Sequence, residues 1–196
     1  AARYLDAQLG RVFSQEGAPV PEVLLIDSGS ADDTLSVAAR YPVRVVSIRP
    51  EEFNHGETRN LGARESRGRF LVYLTQDALP ADAAWLAGLL SPLRKDPAVA
   101  GSFSRHVPHP GCSLPLRRQL EEGWPQGGGL ERIVKRVGSP EELERRKPHY
   151  VYFANTSSCL RREVWERFPF RHVEFGEDVD WAERVLLAGY ALVYEP

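Results

Sequence analysis

Apolar residues recur along this chain with two different periods, and the switches between them mark its elements. In ARYLDAQLGRVF, Leu5, Leu9, Val12 and Phe13 fall at helical spacing and share one face. VLLI (Val23 to Ile26) is a short unbroken apolar run of strand type, closed by the turn residues Asp27, Ser28, Gly29 and Ser30. Asp32, Asp33 and Thr34 supply a start for a second helix, SADDTLSVAARY. VRVVSI reads as a strand between Pro42 and Pro50. EEFNHGETRNLGARESRG begins as a loop and turns helical near Thr58. RFLVYLTQDALP is a strand running into TQD, DAAWLAGLLSPLRKD a helix, and VAGSFSRHV a strand. This alternation predicts an α/β fold with a largely parallel sheet.

The pattern breaks between residues 108 and 148, where proline, glycine and charge runs include three consecutive glycines, Gly127 to Gly129. That stretch reads as a linker, lid or insertion. Order returns in YVYFANTSSCLRREVWERF as a strand, a turn and a short helix. The closing VEFGEDVDWAERVLLAGYALVYEP is an amphipathic helix ending at Gly189 and then a strand.

Composition narrows the picture. The 196 residues, 42% hydrophobic, suffice for one core, so residues 1–196 read as a single domain. A formal net charge of -2 gives no strongly basic surface, so no nucleic-acid partner is expected. Two cysteines, Cys112 and Cys159, without a Cys-x-x-Cys, exclude a disulfide scaffold or zinc ribbon and point to a reducing, cytoplasmic setting. No apolar run approaches the roughly 18 residues of a membrane span, and no signal peptide is visible. The first residues are already helical, the last stop just after a strand and methionine is absent, so both ends read as clipped.

In an open parallel sheet, ligands bind beyond the carboxyl ends of the strands. Asp27 sits at one such end, either as a turn former or as a ligand contact acting with the neighbouring backbone N–H groups. Asp77 ends another, as a helix cap or as a ligand for a hard cation, Mg2+ or Mn2+, that bridges diphosphate oxygens. His55, Arg59, Asn60 and Arg64 form either local pairs with Glu57 and Glu65 or a cationic wall for diphosphate or ribose. His106 and His109 read as polar loop residues, and Cys159 as a small buried one. Glu174, Glu177, Asp178 and Asp180 crowd the mouth of the last helix. Acids favour helix amino ends, but four in seven positions repel one another, and one of them is a candidate proton acceptor. There is no G-x-G-x-x-G, no P-loop and no G-x-S-x-G.

Taken in order, DSGSADDT, TQDALP and FGEDVDWAERVLLAGY resemble the family 2 glycosyltransferases of the GT-A fold. FNHGETRNLGA, YLTQDALP, FANTSSCLRREVWERFPF and EDVDWAERVLLAGYALVYEP resemble the bacterial rhamnosyltransferases among them. The resemblance implies a three-layer α/β/α sandwich with a mostly parallel central sheet. Residues 1–107 would be the nucleotide-sugar-binding half, 108–148 a variable insertion and 149–196 the half that binds acceptor and carries the base. It also implies inverting transfer from a nucleoside-diphosphate sugar, TDP-rhamnose, to a hydroxyl of a glycan, lipid-linked glycan or small molecule, in glycan or cell-surface polysaccharide synthesis. By the same resemblance Asp27, with Ser28 and Ser30, would contact the nucleotide and Arg59 would lie near the nucleotide-sugar. Asp77 would hold the metal, with Gln76 standing where many relatives carry a second acid. Asp178 would be the general base, Glu177 would orient it or touch the acceptor, and Trp181 would wall the acceptor site. Relatives open with a strand of the type V-x-V-x-I-P-T-x-N and continue to a histidine beyond the equivalent of YEP, neither of which this sequence contains. Two rival readings are a GT-A-like module that binds nucleotide or glycan without turnover, and a nucleotidyltransferase, which calls for a glycine-rich phosphate loop. LRRQLEEGW and ERIVKRVG are candidate pieces for peripheral contact with the inner face of a membrane, for packing on the domain or for pairing subunits.

Overall fold

The computed structural model describes residues 2–122 and 129–196. Helix α1 (Ala2–Phe13) and helix α2 (Thr34–Ala38) cover strands β1 (Val23–Asp27) and β2 (Val43–Ser47), which pair in parallel. Leu5, Leu9 and Ala38 form a small core there with Val23, Leu25 and Val43, as the helical spacing of the first two predicts.

The main sheet holds β3 (Phe70–Leu74), β4 (Val99–Ser104), β5 (Ile133–Lys135), β6 (Ser157–Arg161) and β7 (Ala191–Glu195), in the order β3-β6-β4-β7-β5. Alternation along its strands sends residues to two cores. Leu71, Phe103, Leu160, Leu192 and Tyr194 face one side, against α3 (His55–Glu65), α7 (Lys147–Val151), α8 (Arg162–Arg167) and α9 (Glu177–Leu187). Val99, Cys159, Ala191 and Val193 face the other, against α4 (Trp85–Lys95). The three-layer α/β/α arrangement follows from this period-2 pattern. α5 (Leu114–Glu122) and α6 (Pro140–Arg145) lie in the variable stretch, and Gly127 and Gly128 of its glycine run fall outside the described residues.

The expected mostly parallel sheet is corrected. β3 with β6, β4 with β6 and β5 with β7 are antiparallel, and among the described residues only β4 with β7 is parallel in the main sheet. Strand-helix alternation predicts parallel pairing only where each helix carries the chain back to the same end of the sheet. Here the long excursion after β4 delivers β6 from the opposite end. YVYF is not a strand either: Tyr150 and Val151 close α7, and the strand begins at Ser157.

β1 and β3 share no ladder among the described residues. Between them lies a cavity of about 1060 Å³, bordered by Leu24 to Asp27 on one side and Phe70 to Leu74 on the other. Its polar end is the candidate site.

Candidate functional site

Helix α9 starts at Gly176, whose φ of 75° is the left-handed conformation that glycine adopts without strain. That turn places Glu177 inward, 5% exposed, with Asp178 beside it. Glu177 Oε1 accepts from Arg59 Nη1 at 2.7 Å and from Asn155 Nδ2 at 3.3 Å. Asp178 Oδ2 accepts from the Asn155 backbone N–H at 3.2 Å, and Oδ1 from Val179 N–H at 2.9 Å. Burial first, and the charge of Glu177 second, raise the Asp178 carboxyl above its usual range, against the pull of these two N–H groups and of Arg59. Asp180 turns away to Arg184 (2.8 Å) and Arg171 (3.3 Å), and Glu174 is exposed. The four acids therefore have separate surroundings.

Arg59 reaches this pair from α3. The Asn54 side chain accepts from Gly56 and Glu57 N–H, and so starts the helix at His55, ahead of the expected Thr58. Asn54 Nδ2 also donates to Val173 O, tying α3 to the segment before α9. A Cβ on Gly56 would lie 2.6 Å from Arg171 O, so this close approach requires glycine. The local pairs weighed from sequence do not form: Arg59 joins Glu177, and Glu65 joins Arg44. Asn60 belongs to the core, where its Oδ1 accepts from Trp165 Nε1 (2.9 Å) and Phe170 N–H (3.1 Å).

Asn155 is the site residue that the sequence reading missed. It precedes β6, and the antiparallel pairing of β6 with β3 carries it to the end of β3, where Thr75 N–H donates to Thr156 O at 3.1 Å. A polar residue ending the aromatic run YVYFAN was the available signal.

Elsewhere along the cavity, Asp27 closes its own turn by accepting from Gly29 N–H and Ser30 N–H, both at 3.2 Å. Hydrogen bonding from Ser30, its side chain first, holds the carboxyl below its usual range despite burial. Asp77 is exposed: Oδ1 accepts from Thr75 Oγ1 at 2.7 Å, and its carbonyl oxygen lies 2.8 Å from His109 Nε2. Its open carboxylate fits a hard divalent cation as one protein ligand, the rest of the shell being left to phosphate and water. Among the described residues no three His, Cys, Asp or Glu side chains gather into a closed metal site. Asp27, Ser28, Ser30, Arg59, Gln76 and Asp77 all line this cavity, as does Asn155. Glu177 and Asp178 adjoin it through Arg59 and Asn155.

Trp181 does not wall a site. It is 0% exposed and packs on Phe153 and Phe170 at ring distances of 5.2 and 6.1 Å. Cys159 is fully buried, and burial pushes its thiol up, as expected of an inert packing residue.

The family model for glycosyl transferase family 2 matches residues 2–168. The chain belongs to that family. The matched span of this family 2 glycosyltransferase domain contains Asp27, Arg59, Asp77 and Asn155 and stops short of Glu177 and Asp178. Among curated proteins it is 33% identical over 186 residues to the O-antigen chain rhamnosyltransferase WbaN of Salmonella anatum, covering 93% of this chain and 56% of that one. It is 31% identical over 178 residues to RfbN of Salmonella typhimurium, an O-antigen chain rhamnosyltransferase, covering 88% of this chain and 54% of that one. The chain thus spans about half the length of these relatives. Among solved structures, a mannosyltransferase from Pyrobaculum calidifontis in complex with GDP-Man and Mn2+ superposes with a TM-score of 0.68 at 18% identity, over 100% of this chain and 52% of that one. Glucosyl-3-phosphoglycerate synthase from Mycobacterium tuberculosis, in complex with Mn2+ and UDP-glucose, gives 0.59 at 22% identity, over 97% and 65%. These likenesses give the fold as GT-A-like, with the sheet directions described above.

Proposed function

We propose that this domain transfers a sugar from a nucleoside-diphosphate sugar to an acceptor hydroxyl with inversion, and that Asp178 is the base. The observation that carries the reading is a carboxylate with a raised proton affinity, held against Asn155 at the rim of a cavity that Asp27 and Asp77 also line. The acceptor oxygen forms a bond to the anomeric carbon as the bond to the diphosphate breaks, through an oxocarbenium-like transition state. The hydroxyl proton passes to Asp178, and the nucleoside diphosphate leaves with the bonding electron pair. Displacement from one face inverts the anomeric centre. Glu177, neutralised by Arg59, fixes the start of α9 so that Asp178 keeps its place. Ser28 and Ser30 offer polar groups to the nucleotide beside Asp27, and Gln76 does so beside Asp77. A divalent cation held at Asp77 would offset the charge gathering on the leaving diphosphate.

The donor we propose is TDP-rhamnose and the acceptor a growing glycan, a choice supported by the names of the two Salmonella relatives. Competition binding of TDP-, UDP- and GDP-sugars, with release of nucleoside diphosphate followed in Mn2+ or Mg2+, tests this. Tightest binding and fastest release with TDP-rhamnose are expected. A clear preference for a UDP- or GDP-sugar would overturn the donor assignment, and binding without release would turn the domain into a binding module.

A further inference from the structure

The variable stretch sends one strand, β5, to the edge of the main sheet beside β7, and the last residue of that strand is a buried lysine. Lys135 is 1% exposed. Among the described residues no carboxylate forms a salt bridge with it. Its Nζ donates to Tyr152 O at 2.8 Å and lies 5.0 Å from the centre of the Phe103 ring and 5.5 Å from that of Tyr152. An ammonium buried without a counter-ion is expensive, and one carbonyl and two ring faces offset only part of the cost. A methionine or leucine would fill the same space without that cost, so the donor itself needs a reason.

The reason lies in what Tyr152 begins. Residues 152–156 join α7 to β6 outside any regular ladder, and they carry Asn155. The far end of this segment is tied by Ser158 Oγ, which donates to Asn155 Oδ1 at 2.9 Å. The near end is tied by Lys135. The Tyr152 ring packs edge-on against Phe103 at 5.5 Å, and Phe153 packs on the same ring at 5.3 Å. Asn155 then gives its backbone N–H to Asp178 and its amide to Glu177. Tyr152 itself stands within electrostatic reach of the base: burial first, and the charge of Asp178 second, push its hydroxyl up.

We propose that Lys135 is a positioning residue for Asp178: by fixing the Tyr152 carbonyl it holds the Asn155 amide against the base. This rests on the reading of Asp178 as the base. It gives the variable stretch a part in the chemistry that its sequence does not reveal. Burial also lowers the Lys135 amine to about 7. The titratable groups around it are His149, on which the Lys135 charge acts, Tyr152, and Asp178 beyond Tyr152. The brace therefore weakens as the ammonium loses its proton, since a charged donor binds a carbonyl more strongly than a neutral one.

The test compares Lys135→Met, which keeps the stem and removes the donor, with Lys135→Arg, which restores a donor. TDP release from TDP-rhamnose with Mn2+ is the probe, water serving as acceptor where no sugar acceptor is known. Lys135→Met should lower kcat by about 10- to 100-fold, the scale of a small misplacement of a reacting group. Its KM for donor should stay within about twofold, because Lys135 touches none of the donor end. The acid limb of its kcat–pH profile should move upward, because Asp178 loses a hydrogen-bond donor. Lys135→Arg should recover most of the loss. A folded Lys135→Met with parental kcat and an unmoved acid limb overturns the positioning role, while loss of turnover in Asp178→Asn beside it leaves the base assignment standing. Parental turnover in Asp178→Asn removes both. A second measurement needs neither turnover nor a variant. The Asn155 amide proton of the parent protein, followed by NMR against pH, should show one inflection from Asp178 and another near the titration of Lys135. A single inflection, from Asp178 alone, overturns the proposal.

Discussion

The donor end of the proposed site, with Asp27 and Asp77, and its base end, with Asp178, are built in opposite ways. At the end that carries Asp27 and Asp77, each carboxylate is satisfied by its own neighbours: Asp27 by Gly29 and Ser30, Asp77 by Thr75. At the end that carries Asp178, one N–H comes from its own neighbour Val179, but Asn155, between α7 and β6, bonds both Asp178 and Glu177, and Arg59 of α3 pairs with Glu177 through side chains only 15% and 7% exposed. Local satisfaction leaves the first end open to a ligand that brings its own charge. Long-range satisfaction makes the second end rigid before any ligand arrives, which suits a group that must meet a proton at a fixed distance. The difference teaches that a carboxylate at a strand end and one at a helix mouth are alike in sequence and unlike in what removing them does.

Asp178→Asn should show the largest effect. Shape is kept, but the amide oxygen can accept from only one of the two N–H groups of Asn155 and Val179, and the base is lost, so kcat should fall by about 10² to 10⁴-fold with donor affinity nearly unchanged. Asp180→Asn, assayed alongside, should keep turnover, since Asp180 serves only its arginines. A dead Asp180→Asn beside an active Asp178→Asn would exchange the two roles.

Arg59→Met comes next. It leaves Glu177 buried without its cation, and breaking such a pair costs about 3 to 5 kcal/mol. Urea unfolding should register most of that as a lower midpoint with an unchanged slope. A loss below about 1 kcal/mol, typical of a solvated pair, would mean that the acid end is not the prebuilt network described.

Asp77→Ala should be the mildest for the fold, within about 0.5 kcal/mol, because the side chain is exposed and its side-chain hydrogen bond, from Thr75, is local. Its effect should appear only with ligand. Calorimetry of TDP binding with and without Mn2+ should show a metal-dependent gain in the parent and none in the variant. A gain that survives in Asp77→Ala would take Asp77 out of the metal site.

Much of the fold was legible because hydrophobic period survives in any tertiary setting. The stripe on α1 and the short apolar runs of β1 and β3 placed those elements. Strand direction was not legible, because period 2 is the same in parallel and antiparallel ladders, and the long path from β4 to β6 decides the matter. Asp27, Arg59 and Asp77, which line one cavity, could be singled out as candidates because charged residues at strand ends and helix starts stand out against apolar runs. Asn155 stayed hidden because its role depends on the misjudged direction of β6, which alone brings it beside Thr75. Trp181 was misplaced for a different reason. Trp181, Ala182, Val185 and Leu186 form a stripe on α9 that faces the core, and proximity in sequence to the acids outweighed that pattern.

Titration separates the two ends most directly. Asp27 has its proton affinity lowered, so it contributes stability above its unfolded pKa of about 4, and this is lost as pH falls through its lower folded value. Asp178 has its affinity raised. Its contribution is present below the unfolded value and lost as pH rises through the folded one, the point at which the proposed base would become competent. The decisive measurement is the carboxyl carbon of Asp178 followed by NMR against pH, beside the kcat–pH profile of the same protein. The account predicts that Asp178 titrates above the ordinary aspartate range and that the acid limb of kcat shares its midpoint. An Asp178 that titrates at or below the ordinary range, or an acid limb that persists unchanged in the residual activity of Asp178→Asn, would contradict it.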